Sequence, residues 1–188
     1  MTTPVMKLWK ILLTNSKYTL ESKRLDYCVG AVAKAGSFRI HELLSRETSS
    51  YDPTTTLLGC NVALLEVEVD GVMEKILKIH LKSPKEDKIH QGVTIELFAT
   101  YTPECPVTAW VKWRRVATVP LLPTKPVFRM SNGACLTGAL FNKHVKSVLG
   151  KVINYDEKKY LSHSFRAGPE LSIFHKHLIM VTQFCRQT

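Results

Sequence analysis

The stretch 57–98 places the strongest limit on the fold, because the period of its apolar residues changes from helical to strand-like. Its first apolar segment runs up to Asp70-Gly71, a dipeptide that favours a tight turn between antiparallel strands. A second segment, Met73–Leu81, and a third, Val93–Phe98, follow in the chain. We therefore predict a small three-stranded antiparallel sheet whose second and third strands are joined by the lysine-rich loop Lys82–Gly92.

Helical patterns lie on both sides of this sheet in the sequence. Before it, residues 1–45 carry apolar side chains at helical spacing, with Gly36 as a helix end and a short helix over Phe38–Leu44. After it, we expect a helix over residues 105–117 and another from Thr137 to Leu149. The chain as a whole is predicted to be α+β, mostly helical with a small antiparallel sheet.

The composition is that of a globular protein that can bury its own core. Of 188 residues, 45% are hydrophobic and 22% charged. No apolar run approaches the roughly 20 residues of a membrane helix, and the N-terminus lacks the pattern of a signal peptide. We expect no membrane contact and no small-molecule cofactor.

The cysteines indicate a reducing compartment. There are five of them, far apart and never in a CxxC pair, which argues against a disulfide framework and against a zinc finger. We expect isolated buried thiols, no bound metal, and a nuclear or cytoplasmic location.

Charge points to an anionic partner. The chain has 26 Lys and Arg against 16 Asp and Glu, which gives a formal net charge of +10. Such a surface favours polyanions, of which nucleic acid is the common case, although a basic surface can also serve solubility alone.

Four basic residues can be argued together as a phosphate site: Arg39, Lys85, His163 and Arg166. A helix would put His163 and Arg166 on one face, since they are three residues apart. Guanidinium groups present a rigid fork to phosphate oxygens, and an imidazole can pass a proton near neutral pH. This set matches the needs of a phosphoryl-transfer transition state, whose spreading negative charge is stabilised by fixed donors.

Two segments carry a resemblance to a known family. The segment Gly36–Leu44, which contains Arg39 and Glu42, resembles the first-arginine segment of tyrosine recombinases, the phage-integrase family. The segment Ser162–Gly168 resembles the His-x-x-Arg box of that family, in the form found in eukaryotic retroelements and cryptic transposons. The segment Lys82–Asp87 falls where the family has a lysine in a β-hairpin. The resemblance implies a recombinase catalytic-domain fold, with double-stranded DNA and other recombinase protomers as partners.

The resemblance implies a role for each matching residue. Arg39 and Arg166 would clamp the scissile phosphate, and His163 would carry acid–base chemistry beside it. Lys85 would protonate the leaving 5′ oxygen, with Lys82 as the alternative for the same role.

Glu42 would brace the site by accepting hydrogen bonds. The alternative for Glu42 is an ordinary exposed carboxylate on a helix.

This chain differs from the family in lacking the expected nucleophile. Members carry a nucleophilic Tyr on a helix after the His-x-x-Arg box, whereas all six tyrosines here precede His163 and only 22 residues follow Arg166. Strand cleavage by this route needs a hydroxyl in line with the leaving oxygen. We therefore expect a recombinase-like domain over 1–168 and a divergent tail over 169–188, inactive unless a partner chain donates the Tyr.

Three functions remain open from the sequence. The first is a mobile-element recombinase domain for DNA recombination and integration, and the second is a non-enzymatic DNA-binding module derived from one. The third is an unrelated basic protein that binds RNA. The missing Tyr favours the second over the first, and the two boxes in order disfavour the third. RNA binding would also favour exposed aromatic residues on the sheet, where the strands contain only Phe98.

Overall fold

The computed structural model of the protein describes Leu13 and residues 17–82 and 92–149. Helices and strands in these ranges follow the order expected from the sequence, so the predicted α+β class is confirmed. In chain order the elements are α1 (Leu20–Ala35), α2 (Ile40–Leu43), a 3-10 helix (Gly59–Asn61), β1 (Val62–Val69), β2 (Val72–Leu81), β3 (Val93–Phe98), α3 (Pro106–Arg114) and α4 (Gly138–Leu149).

The sheet is antiparallel with the strand order β1-β2-β3, as predicted. Asp70 and Gly71 form the tight turn between β1 and β2, with φ angles of 51° and 78°. Both angles are positive, which is the backbone twist that a two-residue hairpin turn requires. The register pairs Val62 with Ile79 at the body of the protein and Val69 with Val72 at the hairpin tip.

Helix α1 begins with a side-chain cap and is buried along most of its length. The hydroxyl of Thr19 accepts a hydrogen bond from the Ser22 N–H at 3.2 Å, which satisfies one of the free donors at the helix start. Cys28, Val29 and Val32 are fully buried. The helix packs against α3, which in turn contacts β2 and β3.

The core lies between these helices and one face of the sheet. Trp113 stacks on Phe128 with 5.3 Å between ring centroids, and Trp110 meets Trp113 edge to face at the same distance. Helix α4 adds Phe141 and Val145, four residues apart, which lie on one face of a helix and are both fully buried.

Two expectations differ from the described structure. The short helix predicted over Phe38–Leu44 occupies only Ile40–Leu43, because the Phe38 side chain is drawn into the core and Arg39 is extended. Cys60 is exposed rather than buried, since it lies in the 3-10 helix at the surface.

The expected boundary at residue 168 and the tail beyond it lie outside the described residues. Among the helices that the structure describes, none has the length and hydropathy to cross a membrane.

Candidate functional site

Arg39 is positioned by the residues that come immediately before it. The ring of Phe38 lies against the end of α1, where a Cβ on Gly36 would come within 2.2 Å of the ring. Phe38 is 1% exposed, and its N–H donates to the carbonyl of Ala33 at 2.9 Å. Arg39 follows in an extended conformation as the N-cap residue of α2. The buried ring therefore anchors the backbone one residue before the guanidinium group.

Glu42 contacts Arg39 at both the backbone and the side chain. Its Oε2 accepts a hydrogen bond from the Arg39 N–H at 2.7 Å, and its Oε1 lies 3.7 Å from Arg39 Nη1. The Glu42 side chain is 12% exposed and that of Arg39 is 23% exposed. Glu42 is thus a largely buried carboxylate that restrains the arginine, in place of an ordinary exposed helix residue.

Glu42 and Lys82 line the same open recess, although they are far apart in the sequence. The Lys82 ammonium group donates to the carbonyl of Pro53 at 3.0 Å, which holds the lysine at the end of β2. The structure thus brings together Glu42 and Lys82, with Arg39 beside them through its ion pair. The recess has a volume of only about 20 Å³ and is lined by Glu42, Thr55, Thr56, Leu57, His80, Leu81 and Lys82.

The polar side chains that line the recess can contact a small anionic group of another molecule. It presents the ammonium group of Lys82, the imidazole of His80 and two threonine hydroxyls beside the carboxylate of Glu42. Its volume is below the ~300–1,000 Å³ of typical small-molecule pockets. His80 is held in turn, because its Nδ1 lies 3.0 Å from the hydroxyl of Thr94. Such a recess can take a phosphate oxygen or another small anionic group at its rim.

Three of the predicted site residues, Lys85, His163 and Arg166, lie outside the described residues. Their approach to Arg39 stays a prediction. In the described ranges no three His, Cys, Asp or Glu side chains come close enough together to hold a metal ion.

Helix α4 begins beside the Arg39 segment. The Thr137 hydroxyl accepts a hydrogen bond from the Leu140 N–H at 3.2 Å, as the predicted cap requires, and Thr137 forms a parallel bridge with Ser45. A Cβ on Gly138 would lie 3.5 Å from Ile40, in ordinary contact. The segment that carries Arg39 and the start of α4 are therefore joined.

A buried acid–base pair between α1 and α4 was not predicted from the sequence. Asp26 is 1% exposed, and its Oδ2 lies 2.9 Å from Nδ1 of His144, whose side chain is 16% exposed. Burial raises the pKa of Asp26, against the lowering effects of the hydrogen bond with His144 and of its charge. The ring of Tyr18 lies 4.9 Å from the imidazole ring. The sequence signal was an aspartate within the apolar stripe of α1, beside Leu25.

Two arginines near the core hold the proline-rich connector after α3. Arg114 lies over the Trp113 ring at 5.2 Å and donates to the carbonyl of Val119 at 3.3 Å. Arg129 donates to the carbonyls of Pro126 and Pro120. Burial and the neighbouring Arg129 lower the pKa of Arg114. These guanidinium groups hydrogen-bond the protein's own backbone, as the ammonium group of Lys82 also does.

Comparison with known proteins gives a relative by fold. No protein-family model matches the chain, and no curated protein matches it either. The chain is similar to the XerH site-specific recombinase, solved bound to its difH substrate in a pre-cleavage complex, with a TM-score of 0.52 and 14% identity. The fold is tyrosine-recombinase-like. The match covers 88% of this chain and spans 40% of the XerH chain, and at this identity it shows a shared fold alone.

Proposed function

We propose that this protein is a DNA-binding domain of the tyrosine-recombinase kind, which holds the phosphate backbone of duplex DNA and does not cleave the strand by itself. One observation carries the proposal: a recombinase-like fold in which Arg39, the residue matched to the family's first arginine, is restrained by Glu42 beside a recess that Lys82 lines.

The electrostatics of the chain support a polyanionic partner. The formal net charge of +10 attracts DNA over a distance of about a Debye length, and each phosphate contact releases counterions. At the site, Glu42 offsets part of the charge of Arg39, but Lys82 adds a second cation at the recess. A guanidinium group held in this way can donate two parallel hydrogen bonds to phosphate oxygens.

The rest of the proposed site comes from residues matched to the family. Arg166 would share the phosphate with Arg39, His163 would exchange a proton beside it, and Lys85 would approach the 5′ oxygen, with Lys82 as its alternative. The six tyrosines precede His163, so the proposal includes no nucleophile from these 188 residues. Without an attacking hydroxyl, charge stabilisation does not break the strand.

We also propose an origin and a cellular location for the protein. The domain derives from a mobile element, of the kind used in DNA recombination and integration. It works in a reducing compartment such as the nucleus. Free thiols at Cys28, Cys60, Cys105 and Cys135 support the reducing compartment.

The test of the site is Arg39→Ala, measured by fluorescence anisotropy with duplex DNA. Loss of a charge-assisted phosphate contact should weaken binding about tenfold or more. Arg115→Ala is the matched control, because it removes the same charge from an exposed position at the end of α3. Equal affinities for the two variants would contradict the role of Arg39. Circular dichroism should show both variants folded.

The test of the chemistry uses a nicked suicide substrate. We expect binding that weakens steeply between low and high salt, with no covalent protein–DNA band. A covalent band would refute the non-cleaving part of the proposal, and a flat salt dependence would refute the phosphate interface. Stronger binding to single-stranded RNA than to duplex DNA would favour the RNA alternative.

A further inference from the structure

The end of β2 carries a histidine whose side chain contacts the start of β3. His80 is directly opposite Thr94 in the register of the two strands, and its Nδ1 lies 3.0 Å from the Thr94 hydroxyl. Both residues are an odd number of positions from Leu77 and Leu97, which are buried, so they lie on the opposite face of the sheet. The pair therefore joins the two strands outside the packed core.

The same imidazole ring lies against the backbone of Gly92. The φ angle of Gly92 is 76°, and a Cβ at this position would lie 2.8 Å from both Cε1 and Nε2 of His80. It would also lie 2.6 Å from the carbonyl oxygen of Leu81. Only glycine allows such a close approach, since a side chain would displace either the ring or the backbone of β2. His80 therefore contacts the chain at two positions where it enters β3.

These contacts lie beside Lys82. Leu81 and Val93 form the last backbone pair of β2 and β3, and Lys82 follows directly after that pair. The Lys82 ammonium group donates to the carbonyl of Pro53 at 3.0 Å, and both His80 and Lys82 line the recess described above. Lys82 is thus held on one side by the bond to Pro53, while His80 closes the end of the sheet on the other.

We propose that His80 is a positioning residue for Lys82: it fastens the end of β2 to the start of β3 and so keeps the ammonium group at the recess. This role rests on the function proposed above, in which Lys82 lies beside a DNA phosphate. The recess has a volume of about 20 Å³, which is room for roughly one water-sized group. It therefore takes a single phosphate oxygen, and a small displacement of the ammonium group removes the contact.

The alternative role for His80 is direct contact with the phosphate as a cation. An imidazole gains its charge between about pH 5 and 8. Among the described residues, the charged groups that line the recess with His80 are Glu42 from α2 and Lys82, and Thr94 on β3 is neutral. A hydroxyl can donate or accept, so the bond between Nδ1 and Thr94 forms with either the neutral or the charged ring. Positioning therefore requires no proton uptake, whereas direct contact does.

The experiment compares variants of the full chain by fluorescence anisotropy with duplex DNA. His80→Leu removes Nδ1, and Thr94→Val removes the hydroxyl at nearly constant shape. Each should weaken binding about 2- to 10-fold, as for the loss of one hydrogen bond. His80→Asn places an amide near the position of Nδ1 and should bind within about twofold of the wild type. Thr118→Val is the matched control, because this exposed hydroxyl also joins two distant segments, through Glu21, and neither residue lines the recess.

Two further measurements show whether the effect passes through Lys82. In a Lys82→Ala background, His80→Leu should cause no further loss of affinity, because the group that it positions is absent. Without DNA, hydrogen exchange at residues 92–94 should be faster in His80→Leu than in the wild type, and His80→Asn should restore the slower rate. Full loss of affinity from His80→Leu in the Lys82→Ala background overturns the proposal.

The other outcomes separate this role from the proposed function. Wild-type affinity in both His80→Leu and Thr94→Val overturns the positioning role, and if Arg39→Ala still weakens binding, the proposed function stands. Binding that strengthens at lower pH in the wild type but not in His80→Asn shows direct contact and overturns positioning. A wild type that does not bind duplex DNA refutes both proposals. Circular dichroism should show that the variants are folded, and Thr94→Val decides the test if His80→Leu does not fold.

Discussion

The segment around Arg39 and residues 62–74 of the β1–β2 hairpin show opposite relations between regular structure and burial. The first contains a helix of only four residues, yet Phe38, Ile40 and Leu43 are almost completely buried. The second consists of β1, a tight turn and the start of β2, all in regular cross-strand pairing, yet most of its apolar side chains meet solvent. Backbone hydrogen bonds thus shape the hairpin, whereas side-chain packing positions the arginine. Regular structure alone does not show which part of the molecule is held by the core.

The carboxylates of the two regions differ in the same way. Asp26 is buried against His144 inside the helical part, whereas Glu66 and Glu68 are exposed on the hairpin. A buried carboxylate couples protonation to folding, while an exposed one changes stability little. Substitutions at matched positions in the two regions therefore test whether the comparison is correct.

The largest expected effect is that of Phe38→Ala. Removal of this buried ring should lower the free energy of unfolding by about 3–5 kcal/mol, because it leaves a cavity at the end of α1. Val72→Ala on the hairpin should change it by less than about 0.5 kcal/mol, since Val72 is mostly exposed. Urea unfolding followed by circular dichroism measures both values. Similar losses for the two variants would refute the contrast in burial.

Asp26 provides the next largest effect and a dependence on pH. Because burial raises its pKa above the usual 3.8, the folded protein binds this proton more tightly than the unfolded chain. The stability that this group contributes is thus present below pH 3.8 and is lost as the pH rises through the folded pKa. Relative to Asp26→Asn, the wild type should therefore lose free energy of unfolding as the pH rises above 3.8.

Urea unfolding at a series of pH values measures this difference for Asp26. Asp26→Ala should cost about 1–3 kcal/mol near neutral pH, since it removes the buried partner of His144. Glu68→Gln is the control on the hairpin and should remain within about 0.5 kcal/mol of the wild type. A constant difference between wild type and Asp26→Asn at every pH would contradict the raised pKa.

Glu42→Ala should give the smallest change in stability. It removes the acceptor of the Arg39 N–H at the start of α2, which costs about 1 kcal/mol, as for other lost helix caps. Glu42→Gln keeps an acceptor and should recover part of that loss. Thermal unfolding measures both, with Glu68→Ala as the exposed control. An effect of Glu42→Ala no larger than that of Glu68→Ala would show that the contacts with Arg39 do not stabilise the fold.

Much of the fold could be predicted from short-range patterns. The turn at Asp70-Gly71, the strands on either side of it and the cap at Thr137 all depend on residues that are neighbours in the chain. The predicted extent of α2 was wrong because of tertiary packing. Its first predicted residue, Phe38, fills the core instead of continuing a helix.

The candidate site was predictable only in its residue types. Arg39, Glu42 and Lys82 could be selected from their motifs, but no local pattern shows that Glu42 and Lys82 line one recess. The pair of Asp26 and His144 was missed because its members are 118 residues apart, and a lone aspartate in a helix carries no sign of its partner.

The amino-acid sequence is enough to predict the α+β class, the order of the elements and the excess of positive charge. These follow from turn chemistry, side-chain period and composition, each of which acts over a few residues or none. Three features are evident only in the folded protein: Phe38 anchors Arg39, Glu42 restrains it, and the tip of the β1–β2 hairpin extends beyond the core. Those features depend on packing between segments distant in the chain, and packing is decided when the whole core forms.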